Sequence, residues 1–491
     1  MLRKLTRALF RRSAAVQDKP NNASEYAAVV PADTPRPFVT GRSNMQDLDL
    51  STATIIERQD HRISRRGISP NALKVLYRLN EAGFHAFLVG GGVRDLLLQN
   101  SPKDFDISTN ATPEDIKQLF RNARIIGRRF KIVHLSFGRE IVEVTTFRAH
   151  HTVANEFDTD DSRQGIRGLD SAHSTGGMIL RDNVYGSINE DALRRDFTIN
   201  ALYYTIDRFM IIDFAKGMDD LEDRLIRIIG DPETRYREDP VRLLRAIRFA
   251  AKLDFTIEPG TREPMDRLAY LLESISPARL FDESIKLFTG GSAEATFAVL
   301  RQFKVANYLF KATLDSTSDP ESPASRLLTL ALRNTDTRLA AGKSVTPAFL
   351  YAALLWPPLQ DALKAANADN PPGLVDLQEA AGKVIIEQLQ RTAIPRRFTT
   401  AMREIWEMQS RLKPRSRRSV ETVLAHPRFR AGYDFLLLRE DAGEDLGGLG
   451  QWWTDMQSAD RSLQETMLAE LDKRGPKKPR RRKPRRQDNG I

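Results

Sequence analysis

The spacing of apolar residues changes about halfway along the chain, and the change predicts a two-part architecture. In residues 70–81 the side chains of Leu73, Leu76, Tyr77 and Leu79 share one helical face. Ser69 stands at the N-cap, Pro70 at the first helical position and Gly83 at the stop. Residues 84–91 read as a strand running into a glycine turn, 93–99 as a short helix and 104–108 as a strand. Residues 112–120 open a further helix, in which Thr112 caps, Pro113 is first and Asp115 completes a capping box. The alternating stretches 131–138 and 141–148 predict a strand pair turning at Gly138. From about residue 219 the strand signals fade and helical periodicity takes over. Residues 239–253 are the clearest helix, with Asp239 as cap and Pro240 first. The pattern predicts an α+β fold: a head with a small mixed β-sheet flanked by helices, then an all-α neck and body.

Five segments follow. Residues 1–60 are a basic and polar arm, rich in proline beyond residue 19 and without sustained periodicity, and read as disordered. Residues 61–215 form the head, 216–275 the neck and 276–465 the body. Residues 466–491 form a disordered tail. Inside the head, residues 150–177 are rich in Gly, Ser, Asp, Asn and Thr. That run is too long for a quiet turn and is either mobile or functional. No internal repeat is visible.

Charge sharpens the picture. Residues 473–486 hold ten Lys/Arg and no acid, which equals the net charge of +10 for all 491 residues. The folded part is therefore near neutral, and a polyanionic partner is met by the tail. Lys477, Lys478, Arg480, Arg481, Arg482, Lys483, Arg485 and Arg486 suit phosphate contact without sequence readout. A nuclear-localisation signal is the alternative for this run. Arg411, Lys413, Arg415, Arg417 and Arg418 make a second basic patch, most simply a loop. The chain has no cysteine, which excludes disulfides and thiolate metal sites and fits a reducing, cytoplasmic setting. No apolar run reaches the ~18 residues of a membrane span. Leu2, Leu5 and Leu9 lie at helical spacing in the basic N-terminus. That spacing suits a peripheral membrane contact or a transit segment; a plain disordered arm is the simpler reading.

The densest chemistry lies in "FLVGGGVRDLLLQNSPKDFDIST", residues 87–109. Asp104 and Asp106 stand at i and i+2 on the predicted strand, so both carboxylates face one side. Such a pair repels itself unless a cation neutralises it, and Mg²⁺ favours carboxylate oxygens plus substrate phosphates. The plainer reading is a solvated edge strand with two exposed acids. Gly90, Gly91 and Gly92 let backbone N–H groups approach a phosphate with no side chain in the way. Arg94 either adds a cationic contact or pairs with Asp95 or the aspartates and orients them. Glu143 alternates against Val142 and Val144 and points away from the core, either toward the metals or into solvent. Arg242, Arg245 and Arg248 recur every three residues on a helix with no acid between residues 240 and 253, so they point to phosphate or base.

With "LVGGGVRDLL…KDFDIST", "LRRDFTINALYY" and "REDPVRLLRAIRFAAKL" in this order, the chain resembles the class II nucleotidyltransferases. These are the bacterial poly(A) polymerases and the CCA-adding tRNA nucleotidyltransferases. The match covers residues 61–253. "IIGRRFKIVHLSFG", "HRISRRGISPNALKVLYRLN" and the basic tail look like the poly(A) polymerase branch. The resemblance implies a nucleotidyltransferase head, with two Mg²⁺ ions on Asp104 and Asp106 and with ATP as substrate. It implies a role at the active site for Asp196, and triphosphate contacts from Arg194, Arg195 and Asn200. Glu238, Asp239 and Arg242 would read the incoming base, with Asp239 also a plain N-cap candidate. The reaction implied is template-independent addition of AMP to RNA 3′ ends by a monomer, with RNA-decay or RNA-chaperone proteins as partners. A CCA-adding enzyme is the near alternative and an inactive RNA-binding protein the distant one. A His/Asp phosphohydrolase module is set aside, because His426 is the one histidine after residue 173.

Overall fold

The computed structural model describes residues 45–127, 131–149, 171–173, 179–182, 185–366, 373–413 and 416–474. The strands in chain order are β1 (Thr54–Ile56), β2 (Ala86–Val89), β3 (Asp106–Thr109), β4 (Ala123–Ile126), β5 (Ile132–Phe137) and β6 (Glu140–Thr146). They continue with β7 (Ser171–His173), β8 (Ile179–Asp182), β9 (Leu202–Tyr204) and β10 (Ile211–Asp213). Eight of them make one sheet in the order β1-β10-β9-β2-β3-β6-β5-β4. β3 and β6 run parallel and the other pairs antiparallel, so the sheet is mixed as expected. β7 and β8 pair apart from it.

Cross-strand partners share a face, so the register sorts the sheet into two sides. Leu88, Ile107, Val144 and Val133 stand in one row and are fully buried. They pack on Leu73, Val75, Leu76 and Leu79 of α1 (Pro70–Glu81) in the main core. The other face carries the row Val89, Asp106, Glu143 and His134. Its apolar cover is small: Phe87, Val89, Phe147, Tyr203 and Ile212 cluster with Ile188 and Ala192 of α4 (Ile188–Leu193). The polar half of this face is left for chemistry.

The signals at Ser69, Thr112 and Gly138 operate as expected, whereas the helix Val241–Leu253 has Pro240 rather than Asp239 at its N-cap and no side-chain cap. Ser69 Oγ accepts the Ala72 N–H at 3.0 Å at the head of α1. Thr112 and Asp115 close a reciprocal capping box at α3 (Pro113–Leu119). β5 and β6 turn through Gly138, whose φ is 64°.

Four boundaries differ. The ordered head begins before residue 61, because β1 pairs with β10 along the sheet edge; three residues are too few to show a period in sequence. α2 (Gly91–Leu97) starts two residues earlier than the apolar run suggests. Asp104 and Phe105 precede β3 rather than belonging to it. The last described helix, Arg461–Arg474, passes the residue 465 boundary, and its Leu468 joins a small core with Met408, Leu412, Trp453 and Met456.

Beyond β10 come α5 (Gly217–Glu222), α6 (Pro232–Glu238) and α7 (Val241–Leu253). After Thr256–Ile257, which pairs with Leu225–Ile226, no strand follows among the described residues, and the body is helical. The main core is continuous from Ile63 in the head to Ala442 in the body. No helix among the described residues is long and apolar enough to cross a membrane.

Candidate active site

β2 delivers the chain to a tight turn. Gly90 sits at φ 68° and ψ −139°, a conformation essentially reserved for glycine. A Cβ built there would lie 3.7 Å from Arg195 Nη1 and 3.8 Å from Asp106 Oδ2. The turn, one arginine and one carboxylate therefore meet at a single point. A Cβ on Gly91 would meet only Arg94, and one on Gly92 the Asp104 carbonyl at 3.5 Å, both ordinary contacts. Gly90 is thus the glycine that the geometry requires. Gly90→Ala is expected to cost about 1–3 kcal/mol in backbone strain. It should also slow RNA extension, while Gly91→Ala leaves thermal stability near wild type. Melting curves and extension rates of the two variants check this, and equal behaviour would remove the special role of Gly90.

Asp106 opens β3 and faces the same side as Glu143, its register partner on β6. Glu143 Oε1 in turn lies 3.1 Å from His134 Nε2 on β5. Burial and the charges of Glu143 and Asp104 push the Asp106 carboxyl up to about 6, with Arg195 opposing them. Asp104 is exposed just ahead of the strand. Asp104 thus lies in a loop and Asp106 on a strand, so they are not two positions of one strand, and the charge of Asp104 reaches the Asp106 carboxyl. A strained carboxylate with further acids beside it fits a hard divalent cation. Among the described residues no three His, Cys, Asp or Glu side chains form a complete metal cage. Two carboxylates completed by substrate phosphates is how Mg²⁺ is ordinarily held.

The segment "RRDFTIN" carries a second set of contacts. Asp196 pairs with Arg245 of α7 and takes the Phe197 N–H at 2.9 Å. Burial opposes its ionisation, but Arg245, the Phe197 amide, Arg242 and Asn200 outweigh that and hold the carboxyl below its ordinary range. Glu143 is the register partner of Asp106 and its charge raises the Asp106 carboxyl, whereas Asp196 is paired with Arg245. Of the two candidates for a third carboxylate, Glu143 is the one beside Asp106. Arg94 is 3% exposed and stays inside the protein. Its Nε and Nη2 donate to Asp95, its Nη1 donates to Asn200 Oδ1 at 2.7 Å, and its guanidinium lies over the Phe249 ring of α7. Pairing with Asp95 is therefore the arrangement formed, and Arg94 and Asn200 act as a strut between α2, the 198–200 turn and the neck. Arg194 Nε lies 3.4 Å from Asp191 Oδ1.

The arginine stripe of α7 finds the partners that its own helix lacks. Arg242 Nη1 donates to Glu238 Oε2 at 2.8 Å and to the Arg235 carbonyl at 2.7 Å. Arg245 takes Asp196. Arg248 has no carboxylate within ion-pair distance among the described residues, and burial and the neighbouring Arg245 hold its pKa below the usual guanidinium range. Asp239 lies between α6 and α7; its Oδ2 receives Arg279 at 2.7 Å while its carbonyl receives the Arg242 N–H at 2.9 Å. Of the three arginines without an acid on their own helix, Arg242 and Arg245 thus find carboxylates from other segments.

Two residues escaped the sequence reading. Arg235 is 6% exposed and joins head to neck: it donates to the carbonyls of Arg194 and Arg195 and to Glu238. Asp191 is 4% exposed beneath Arg195. The signal for Asp191 was an acid four residues before an arginine, which on a helix is usually a solvated pair. In the second basic patch, Arg411 pairs with Glu407 and Arg417 with Glu465, each on a helix rather than in a loop. Arg415, the tail residues Lys477 to Arg486, the 1–44 arm and residues 150–170 lie outside the described residues.

A mixed sheet with acids on its open face, buttressed by a helical neck, is the architecture of a nucleotidyltransferase. A solved CCA-adding enzyme in an apo form shares the fold at TM-score 0.54 and 19% identity, covering 84% of this chain and 95% of that one. An apo tRNA-processing enzyme does so at 0.53 and 20%, covering 84% and 99%. Family models match residues 86–227 as the poly A polymerase head domain and 254–316 as the probable RNA and SrmB-binding site of polymerase A. Residues 371–487 match the polymerase A arginine-rich C-terminus. The poly(A) polymerase I of Escherichia coli O157:H7 is 48% identical over 443 residues, 88% of this chain and 93% of the relative. That of Haemophilus influenzae is 42% identical over 440 residues, 87% and 95%. A CCA-adding enzyme of Lactobacillus helveticus is 38% identical over only 228 residues, 46% and 52%. The chain belongs to the poly(A) polymerase I family, and it is an enzyme of the nucleotidyltransferase class.

Proposed function

We propose that this enzyme adds AMP from ATP to RNA 3′ ends without a template and releases pyrophosphate. The observation that carries the reading is the meeting of Asp106 Oδ2 and Arg195 Nη1 at the Gly90 turn, with Glu143 as the register partner of Asp106. Asp104 and Asp106 would hold two Mg²⁺ ions, which when bound supply charge neutralisation on the triphosphate and a more acidic RNA 3′-hydroxyl. Gly90 keeps the turn open for phosphate oxygens, and Arg195 presents Nη1 to the same place. Arg248, with no acid of its own, serves the triphosphate or RNA backbone. Glu238 is already committed through Oε2 to Arg235 and Arg242, which fixes the Arg242 fork in one plane. A fork held that way can satisfy one base edge and leave a wrong base with unpaired polar groups. Promotion of RNA decay in the cytoplasm belongs to the same reading and rests on family membership.

The test incubates the protein with Mg²⁺, a generic RNA oligonucleotide and each nucleotide separately. A long ladder with ATP alone is expected. Extension confined to tRNA-like ends and dependent on CTP would replace this reading with a CCA-adding one. No product from a folded protein would sink both. Deleting residues 473–491 should weaken RNA binding and flatten its salt dependence while short-primer chemistry is kept, because that run holds ten Lys/Arg. Binding measured across a salt series checks it, and an unchanged slope would discard the tether.

A further inference from the structure

Arg195 uses only part of its guanidinium inside the protein. Its Nε donates to Tyr203 Oη at 2.8 Å, and its Nη2 donates to Asp191 Oδ2 at 3.1 Å and to Ser108 Oγ at 3.4 Å. Nη1 has no acceptor among the described residues and is the atom nearest the Gly90 turn, 3.7 Å from the site of a Cβ there. A guanidinium is rigid and planar, so fixing two of its nitrogens fixes the direction of the third.

What fixes them is a closed set of side chains around Asp191. Tyr203 Oη accepts from Arg195 and donates to Asp191 Oδ2 at 2.7 Å, and Ser108 Oγ donates to the same oxygen at 3.0 Å. Asp191 Oδ1 takes the Arg148 N–H at 3.2 Å. Burial opposes the charge on Asp191, yet Arg195, Arg194, Tyr203 and Ser108 outweigh it and keep the carboxylate ionised. The Arg195 guanidinium also lies 5.0 Å from the centre of the Tyr203 ring. Ser108 follows Asp106 by two positions on β3, and Tyr203 is the register partner of Val89, the last residue before Gly90. The parts that aim Arg195 therefore belong to the strands that place Asp106 and the turn.

We infer that Asp191, acting with Tyr203, is a positioning residue: it holds Arg195 so that Nη1 meets a phosphate oxygen of the incoming nucleotide beside Asp106. The inference rests on the nucleotide-binding reading of this site. A role in mere packing predicts something different, because Asp191 would then affect every ligand and add to the loss of Arg195.

The experiment measures equilibrium binding of ATP and of adenosine, with Mg²⁺, to the full chain and to Asp191→Asn, Arg195→Ala and the double variant. Asp191→Asn is expected to weaken ATP by about tenfold, the scale of one charge-assisted hydrogen bond, and to leave adenosine unchanged. On the Arg195→Ala background it should produce no further loss. Equal weakening of ATP and adenosine, or additive losses in the double variant, overturns the inference. Where Asp191→Asn does not fold by circular dichroism, Tyr203→Phe carries the comparison. It keeps the ring and removes the Nε acceptor, and it should weaken ATP selectively, though less. Unchanged ATP binding in that variant also overturns the inference. RNA extension is scored separately on the wild type, so ATP binding without extension would count against polyadenylation and leave the role of Asp191 standing.

Discussion

Asp106→Asn is expected to abolish RNA extension and, in the same protein, to raise the stability of the metal-free fold at neutral pH. The loss of rate should reach about a thousandfold, as for other electrostatic groups placed on a developing charge. The gain in stability follows from the sign of the pKa shift. In the folded chain the carboxyl stands at about 6, above its ordinary value near ~3.9 in an unfolded one. Between those values the native state binds more protons than the unfolded state, so stability falls as pH rises through the window. The penalty is complete above pH ~6 and gone below ~4. Asparagine removes the charge and hence the penalty, which at pH 7.5 amounts to about 1–3 kcal/mol. Melting temperatures in a chelator at pH 7.5 and pH 4 decide it. A variant that melts below wild type at pH 7.5 would show that Asp106 is not the strained acid. Asp104 is exposed, so Asp104→Ala should remove activity with little change in melting.

Arg235→Met should be among the most damaging changes remote from Asp104 and Asp106. Arg235 is 6% exposed and satisfies the carbonyls of Arg194 and Arg195 as well as Glu238. Methionine fills a similar volume but strands two carbonyls and releases one of the two arginines on Glu238. Breaking a buried charged contact of this kind costs about 3–5 kcal/mol. Because the same guanidinium ties the Arg194–Arg195 backbone to the helix bearing Glu238, nucleotide selection should loosen together with stability. Arg235→Lys should not rescue it, since an ammonium cannot reproduce the planar fork. Thermal melting and the ratio of ATP to CTP incorporation read both effects. Wild-type melting in Arg235→Met would show that the neck is held to the head by apolar packing alone.

These expectations draw unequally on sequence and on fold. Ser69–Pro70, Thr112–Pro113–Asp115 and Gly138 marked helix starts and a turn, and each sits where its motif put it. Glu143 was legible through its alternation with Val142 and Val144, which are fully buried while it faces out. The contiguous run from Gly90 to Asp106 made the candidate site legible because its parts lie within one turn, one short helix, one loop and the start of one strand. β1 was not legible: three residues between polar neighbours carry no period, and the strand exists because β10 offers it an edge.

Capping, turn and alternation preferences act over a few residues, so the sequence by itself determined most element types, the order of a mixed head and a helical body, and the acids of the candidate site. Which charges neutralise one another was decided only by tertiary structure. Arg245 met Asp196, Arg242 met Glu238, Arg94 turned to Asp95 and Asn200, and Asp191 went under Arg195. A charged side chain in a helix looks alike whether it ends in water or in the interior. The difference is its desolvation and the partner a distant segment brings, and both appear only when the chain is packed.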